Sequence, residues 1–190
     1  MGHQLVMTLE SRKMEDIITK CPRVNKPDSL NFLFTDQTKT RLYKDFSDKM
    51  IEALETLPIT FNVHNFGLRK SDFFKNENLV SNYTLLSTNI DDNGVEYVSS
   101  TEHKKYPFYT VQFHPEKNLY KFHLPIIPHS NDALEMANLM AEKLVKEAKL
   151  NSNSFDSYQE MVSAMAEGSG FDKVHVDGLD ETYYFKFAYP

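Results

Sequence analysis

A single cysteine, Cys21, in 190 residues leaves no room for an internal disulfide or a multi-cysteine metal site. An excess of basic residues is also missing. Lys and Arg number 21 against 27 Asp and Glu, a formal net charge of −6, so no nucleic-acid partner is expected. No apolar run approaches the length of a membrane span, and no membrane partner is expected either. The start, MGHQLVMTLESRK, has a short apolar patch without a basic n-region or small-residue cleavage site, so no signal peptide is read. Repeats, low-complexity tracts and Gly/Ser-rich linkers are absent too, and the length suits a single domain over 1–190, or most of one. What is present is enough apolar material for a core: 41% hydrophobic and 13% aromatic residues exclude disorder of the whole chain. Asn82-Tyr83-Thr84 is the one glycosylation sequon, which leaves the compartment weakly determined.

Apolar spacing sets the expected elements. Leu5, Val6, Leu9, Ile17 and Ile18 suggest a helix over 3–20, broken by Pro22 and Pro27. Phe46, Met50, Ile51, Leu54 and Leu57 form one stripe of a helix over 43–57, and ITFNV follows Pro58 as a short strand. The runs YTLLSTNI and VEYVSS flank Asp91-Asp92-Asn93-Gly94, where Asn-Gly supplies the positive φ of a hairpin turn. Phe108 to Phe113 reads as a strand. Asp132 to Lys149 reads as the longest helix, with Ala133, Ala137, Met140, Leu144 and Ala148 on one face and a capping box from Asp132 and Glu135. Residues 151–180 read as loop with a short helix near 158–166, and TYYFKFAY as a terminal strand. The class is α/β with an antiparallel element.

The chemistry concentrates at Tyr109-Thr110-Val111-Gln112-Phe113-His114-Pro115-Glu116-Lys117, where an apolar strand runs into a His-Pro-Glu corner. Residues two apart in extended chain share a side, and Pro115 restricts both itself and His114. An imidazole with a carboxylate positioned to orient it is the base-and-orienter part of a catalytic triad. A solvated surface pair is the competing reading of the same residues. His114, His123, His129 and Glu116 offer zinc-type donors, but their spacing matches no recognised ligand pattern, so no metal and no cofactor are expected. Lys104, Lys105, Lys117 and Lys121 flank the corner in sequence and would attract an anion if they also met in space.

VQFHPE resembles the His-Glu signature of class I glutamine amidotransferase-like proteins, which use a Cys-His-Glu triad on a flavodoxin-like sheet. The wider context is similar to γ-glutamyl hydrolases, cysteine peptidases that trim glutamates from folate polyglutamates. SLNF at 29–32, Thr40-Arg41 to Phe46, Asn62 to Leu68, YTLLSTN, SSTEHKKYPFYTVQFHPEK and Pro128 to Ala133 carry the resemblance, in family order over about 1–150. It implies catalytic roles for His114 and Glu116 and a small-molecule folate polyglutamate or γ-glutamyl peptide substrate. It also implies a secreted, lysosomal or vacuolar setting, and it allows a homodimer. His64 enters as a substrate-facing residue, with an ordinary polar position after a strand as its other reading.

Met1-Gly2-His3-Gln4 resembles the last four places of the family's Gly-x-Cys-x-Gly-x-Gln/Glu nucleophile elbow. The nucleophile is therefore expected immediately before Met1, with the family's N-terminal strands missing, an uncovered sheet edge and a tendency to self-associate. Cys21 is a poor substitute, because Pro22 has no backbone N–H to offer an oxyanion; it is expected to be an ordinary helix-end thiol. Three functions follow in order: a γ-glutamyl hydrolase, a catalytically silent homologue or fragment, and a glutamine amidotransferase domain.

Overall fold

The computed structural model describes residues 1–13, 17–165, 172–176 and 179–184. The expected hairpin forms its centre. Strands β4 (Tyr83–Ile90) and β5 (Glu96–His103) pair antiparallel, and Gly94 takes the positive φ of +80° at the turn. The Asp91 carboxylate accepts from the backbone of Asn93 and Val95, which makes the connection a five-residue Asx-type loop rather than a two-residue turn. Strand β2 (Asn31–Phe32) joins the outer side of β4, and β6 (Tyr109–Val111) that of β5, giving the order β2-β4-β5-β6. A separate ribbon pairs β1 (Thr19–Asp28) antiparallel with β3 (Thr60–Gly67).

Alternation along the strands divides the core between two faces. Leu86 and Phe113 face Tyr43, Met50, Leu54, Ala133 and Met136, contributed by helices α2 (Asp48–Thr56) and α6 (Asn131–Ala148) and the turns before α2. Leu85 and Val98 face Met7, Phe73 and Leu79 from α1 (Gly2–Ser11), α3 (Lys70–Lys75) and α4 (Glu77–Asn82). A short helix, α5 (Pro115–Tyr120), follows β6 directly. Residues Met1–Ala148 form one compact unit and Lys149–Pro190 a second. The second contains α7 (Tyr158–Ala164) and an antiparallel pair of β7 (Asp172–Val176) and β8 (Leu179–Tyr184). Among the described residues no helix is long and apolar enough to cross a membrane.

Several expectations are corrected. The first helix ends at Ser11, capped by Arg12 in the left-handed region, and Thr19–Asp28 is a strand. Pro22 and Pro27 are tolerated there because β1 pairs with β3 alone, and the ladder slips on either side of Arg23 and Val24. The second helix starts at Asp48, because the Ser47 side chain accepts from Met50 N and fixes the cap. In α6 the cap is Ser130, whose hydroxyl accepts from Ala133 N, not Asp132. The apolar stripe of α6 also fails beyond Met140: Leu144 is exposed and Lys143 is buried, paired with Glu147 at 2.7 Å and lying over the Tyr109 ring. A strand, β7, occupies part of the segment read as loop. The terminal strand is described as Leu179–Tyr184, and residues 185–190 of the expected strand lie outside the described residues.

One buried carboxylate ties the irregular chain before α2 to the sheet. Glu102 on β5 accepts from the backbone N–H of Arg41 and Leu42 at 2.8 and 2.9 Å. Nearby, Tyr43 donates its hydroxyl to Ser100 at 3.0 Å. Glu102→Ala orphans two donors and is expected to lower the urea-unfolding free energy by about 1–3 kcal/mol. Glu102→Gln, which keeps an acceptor, is expected to cost less than half of that.

Candidate active site

Strand β6 aims the site. Its continuation, Gln112 to His114, donates His114 N–H to the carbonyl of Phe61 on β3, so the β6 end and the β1–β3 ribbon meet at the imidazole. Pro115 then opens α5 at its first position, where a missing N–H costs nothing. His114 Nδ1 lies 2.8 Å from Glu116 Oε1. The pair forms, but not through extended chain: Glu116 sits in the first turn of α5, and the strand-to-helix corner turns its carboxylate back to the ring. Partial desolvation opposes ionisation of Glu116, yet the hydrogen bond from His114, with Lys117 nearby, holds its carboxyl below the ordinary range. With Nδ1 engaged by the carboxylate, the lone pair of Nε2 is left for proton transfer.

His64, on β3, packs edge-on against Tyr97, and its Nδ1 donates to the Cys21 carbonyl at 2.9 Å. That bond fixes the proton on Nδ1, and among the described residues the buried Nε2 has no hydrogen-bond partner. Burial pushes the His64 pKa down, and nearby His114 adds to this, against the opposing pull of the Cys21 carbonyl. The sequence reading missed a third imidazole. His3, in the first turn of α1, is buried with Nδ1 2.8 Å from Thr110 Oγ1, which in turn bonds Thr101 Oγ1 at 2.7 Å. Burial, then His64 and the chain's amino group, push its pKa down to about 3. Thr110, Gln112 and His114 alternate onto one side of the strand, so His3 reaches the same side as the catalytic candidates. Gln4 Nε2 also donates to the Phe66 carbonyl at 2.6 Å, pinning the start of α1 to β3 as well as β6. Only the elbow resemblance at Met1–Gln4 hinted that His3 belonged here.

Cys21 lies on β1, not at a helix end, with its side chain fully buried beneath Gly67. A Cβ at Gly67 would come within 3.3 Å of Cys21 Sγ, so only glycine fits this contact without a shift. Burial and then Asp91 push the thiol up to about 12, so it stays protonated at neutral pH and does not serve as a nucleophile. Among the described residues no three His, Cys, Asp or Glu side chains gather as a metal would require. His129, one of the candidate ligands, instead donates Nδ1 to the Asn118 carbonyl at 2.7 Å. Lys104 and Lys105 lie in the connection before β6, whereas Lys117 and Lys121 lie beyond its other end, on and just after α5.

The neutral histidines predict the pH response. An unfolded chain protonates His3 below about pH 6.5, whereas the folded chain resists until about pH 3, so protons favour unfolding throughout that window. Stability is complete above pH 6.5 and falls as the pH drops, by roughly 2 kcal/mol at pH 5 from His3 alone. His64 acts in the same direction. Urea titrations at pH 7.5 and pH 5 are expected to show this loss, with a shallower pH slope in His3→Gln.

The sequence matches the family Glutamine amidotransferase class-I over residues 1–129. It is 34% identical over 152 residues to Gamma-glutamyl hydrolase of Homo sapiens, covering 80% of this chain and 47% of that protein. Against Gamma-glutamyl hydrolase of Mus musculus the identity is 31% over 173 residues, covering 90% and 54%. Gamma-glutamyl hydrolase 1 of Arabidopsis thaliana is 30% identical over 186 residues, covering 93% and 53%. The chain thus spans about half the length of the curated relatives it matches. With the His-Glu corner, the mixed α/β architecture and this match over most of its residues, the chain belongs to the class-I glutamine amidotransferase family, among relatives named as γ-glutamyl hydrolases.

Proposed function

We propose that this chain supplies the acid–base machinery of a γ-glutamyl hydrolase, a cysteine-type peptidase removing γ-linked glutamates from folate polyglutamates. The observation that carries the reading is the 2.8 Å contact between His114 Nδ1 and Glu116 Oε1 at the mouth of α5. In such a reaction a thiolate adds to the γ-amide carbonyl. His114 Nε2 gives its proton to the leaving amine as the C–N bond breaks and a thioester remains. His114 then takes a proton from water, whose oxygen displaces the sulfur, while Glu116 holds the ring and stabilises the imidazolium. His64, close enough to this ring for the two to interact, is taken as a substrate-side residue. The pinning of the α1 start to Thr110 and Phe66 supports an elbow-type placement of the nucleophile next to His114. The setting that goes with this reading is secreted, lysosomal or vacuolar.

The second reading is a γ-glutamyl-binding chain that does not turn over unaided. The state of Cys21 favours it, since the one thiol in the sequence is buried and held protonated. A glutamine amidotransferase domain draws no comparable support, because the relatives reported above are named as hydrolases.

Release of free glutamate from γ-glutamylglutamate by the 190-residue chain separates the two. The hydrolase reading expects turnover once a cysteine is supplied directly before Met1, falling about 100-fold or more in His114→Ala and strongly in Glu116→Gln. Binding without turnover supports the second reading. Turnover indifferent to His114→Ala overturns the assignment of the site.

A further inference from the structure

Beyond α5 the chain makes an apolar loop whose design the hydrolytic chemistry does not require. Tyr120 is 76% exposed and Phe122 61% exposed, with Leu124 and Ile126 also facing solvent. Such a run of large apolar groups in water calls for an explanation. The loop is built rather than loose. Backbone bonds from Leu124 to Lys121 and from Ile127 to Leu124 fold it into successive turns, and Ile127 is buried beneath it. Phe122 lies flat on His129, ring centroids 4.2 Å apart and planes 13° from parallel. His129 is fixed in turn by its bond to the Asn118 carbonyl, and Asn118 is itself buried. One face of Phe122 is therefore backed by a held imidazole and the other is open.

Along the chain, two cations lie between the His-Glu corner and Phe122. Lys117 and Lys121 are four residues apart, so they share a side of α5 and its end. Among the described residues neither is in an ion pair. Helix α5 itself spans about 9 Å from its six residues. Ring platform, Lys121, Lys117 beside Glu116 and the acid–base pair thus follow one another along a single short helix and its exit. The chemistry complementary to that order is an anionic chain ending in a planar aromatic group.

We propose that Phe122, backed by His129, is the seat of a planar aromatic head group on the acyl side of the substrate. Lys117 and Lys121 meet the carboxylates that lead from it to the bond held at His114. This rests on the γ-glutamyl hydrolase reading and adds to it a location for the head. A platform held before the ligand arrives loses little freedom on binding, which favours stacking on an exposed ring.

The test compares two probes on the 190-residue chain by isothermal titration at neutral pH: pteroyl-γ-diglutamate and the headless γ-glutamylglutamate. The head is expected to improve affinity about 10-fold or more. Phe122→Ala is expected to bring pteroyl-γ-diglutamate down to the headless level, Phe122→Tyr to keep the advantage, and Lys121→Ala to weaken both probes. Phe122 is exposed, so its replacement leaves the core intact. Equal affinity for the two probes, an advantage that survives Phe122→Ala, or no binding of either probe overturns the proposal. Glutamate release with no head advantage counts against this site and leaves the hydrolase reading standing. A head advantage with no glutamate release even when a cysteine is supplied directly before Met1 counts against the hydrolase reading and leaves the site.

Discussion

The buried amide of Asn118 is the constraint on which the site depends. It donates to the carbonyl of Ile59, at the entrance to β3, and to the carbonyl of Pro128, at the entrance to α6. A helix of six residues has too few internal bonds to hold its own direction, because its first and last turns leave most backbone groups unpaired. Asn118 replaces that missing internal support with two fixed external anchors. The backbone carbonyl of Asn118 accepts from His129, so the same residue sets the start of the loop behind it. His114 and Glu116 lie at one end of this clamp and the Phe122–His129 pair at the other. Both ends are held by one residue, through its side-chain amide and its backbone carbonyl.

Where local chemistry decided the backbone, the sequence was readable. The β4–β5 hairpin follows from alternation and from a glycine that adopts positive φ, and the long helix α6 from spacing of small and apolar residues. The His-Pro-Glu corner was legible as a pair, since Pro115 restricts the two positions that matter. The route by which the two side chains meet was not legible, because whether the chain continues extended or turns helical after His114 depends on the anchors at Ile59 and Pro128. The same limit explains β1. Ile17, Ile18 and Thr19 suit a strand as well as a helix, and the pairing with β3 that decides the matter involves residues about forty positions away.

His3 shows the limit in its sharpest form. Nothing in its neighbours marks it as buried, and the spacing of Leu5, Val6 and Leu9 directs attention to a different face of the helix. In the folded chain those leucines are exposed, whereas His3 and Met7, four residues apart, turn inward. A polar residue chosen as the inward contact makes sense only beside Thr110 and Thr101, a pair of hydroxyls that would otherwise lack this partner. The hydrogen-bonding requirement of a polar strand face, rather than apolar periodicity, therefore sets the orientation at the beginning of α1.

The acidity of the whole chain and the placement of its cations bear on one another. With a net charge of −6, long-range attraction for an anion is not available from the protein as a body. Attraction must then be local, within about a Debye length of 8–10 Å at ordinary salt. The lysines before β6 are partly committed: Lys104 donates to the Val80 carbonyl, and Lys105 lies over the Tyr106 ring. Lys143 is committed fully, to Glu147. Lys117 and Lys121 are the cations on α5 and its exit, and α5 is itself about as long as the screening distance. An anion approaching this acidic surface would meet Lys121 and Lys117 along the one helix whose first turn holds Glu116, so on the proposed function the residues that attract an anion and those that would act on it belong to one short stretch of chain.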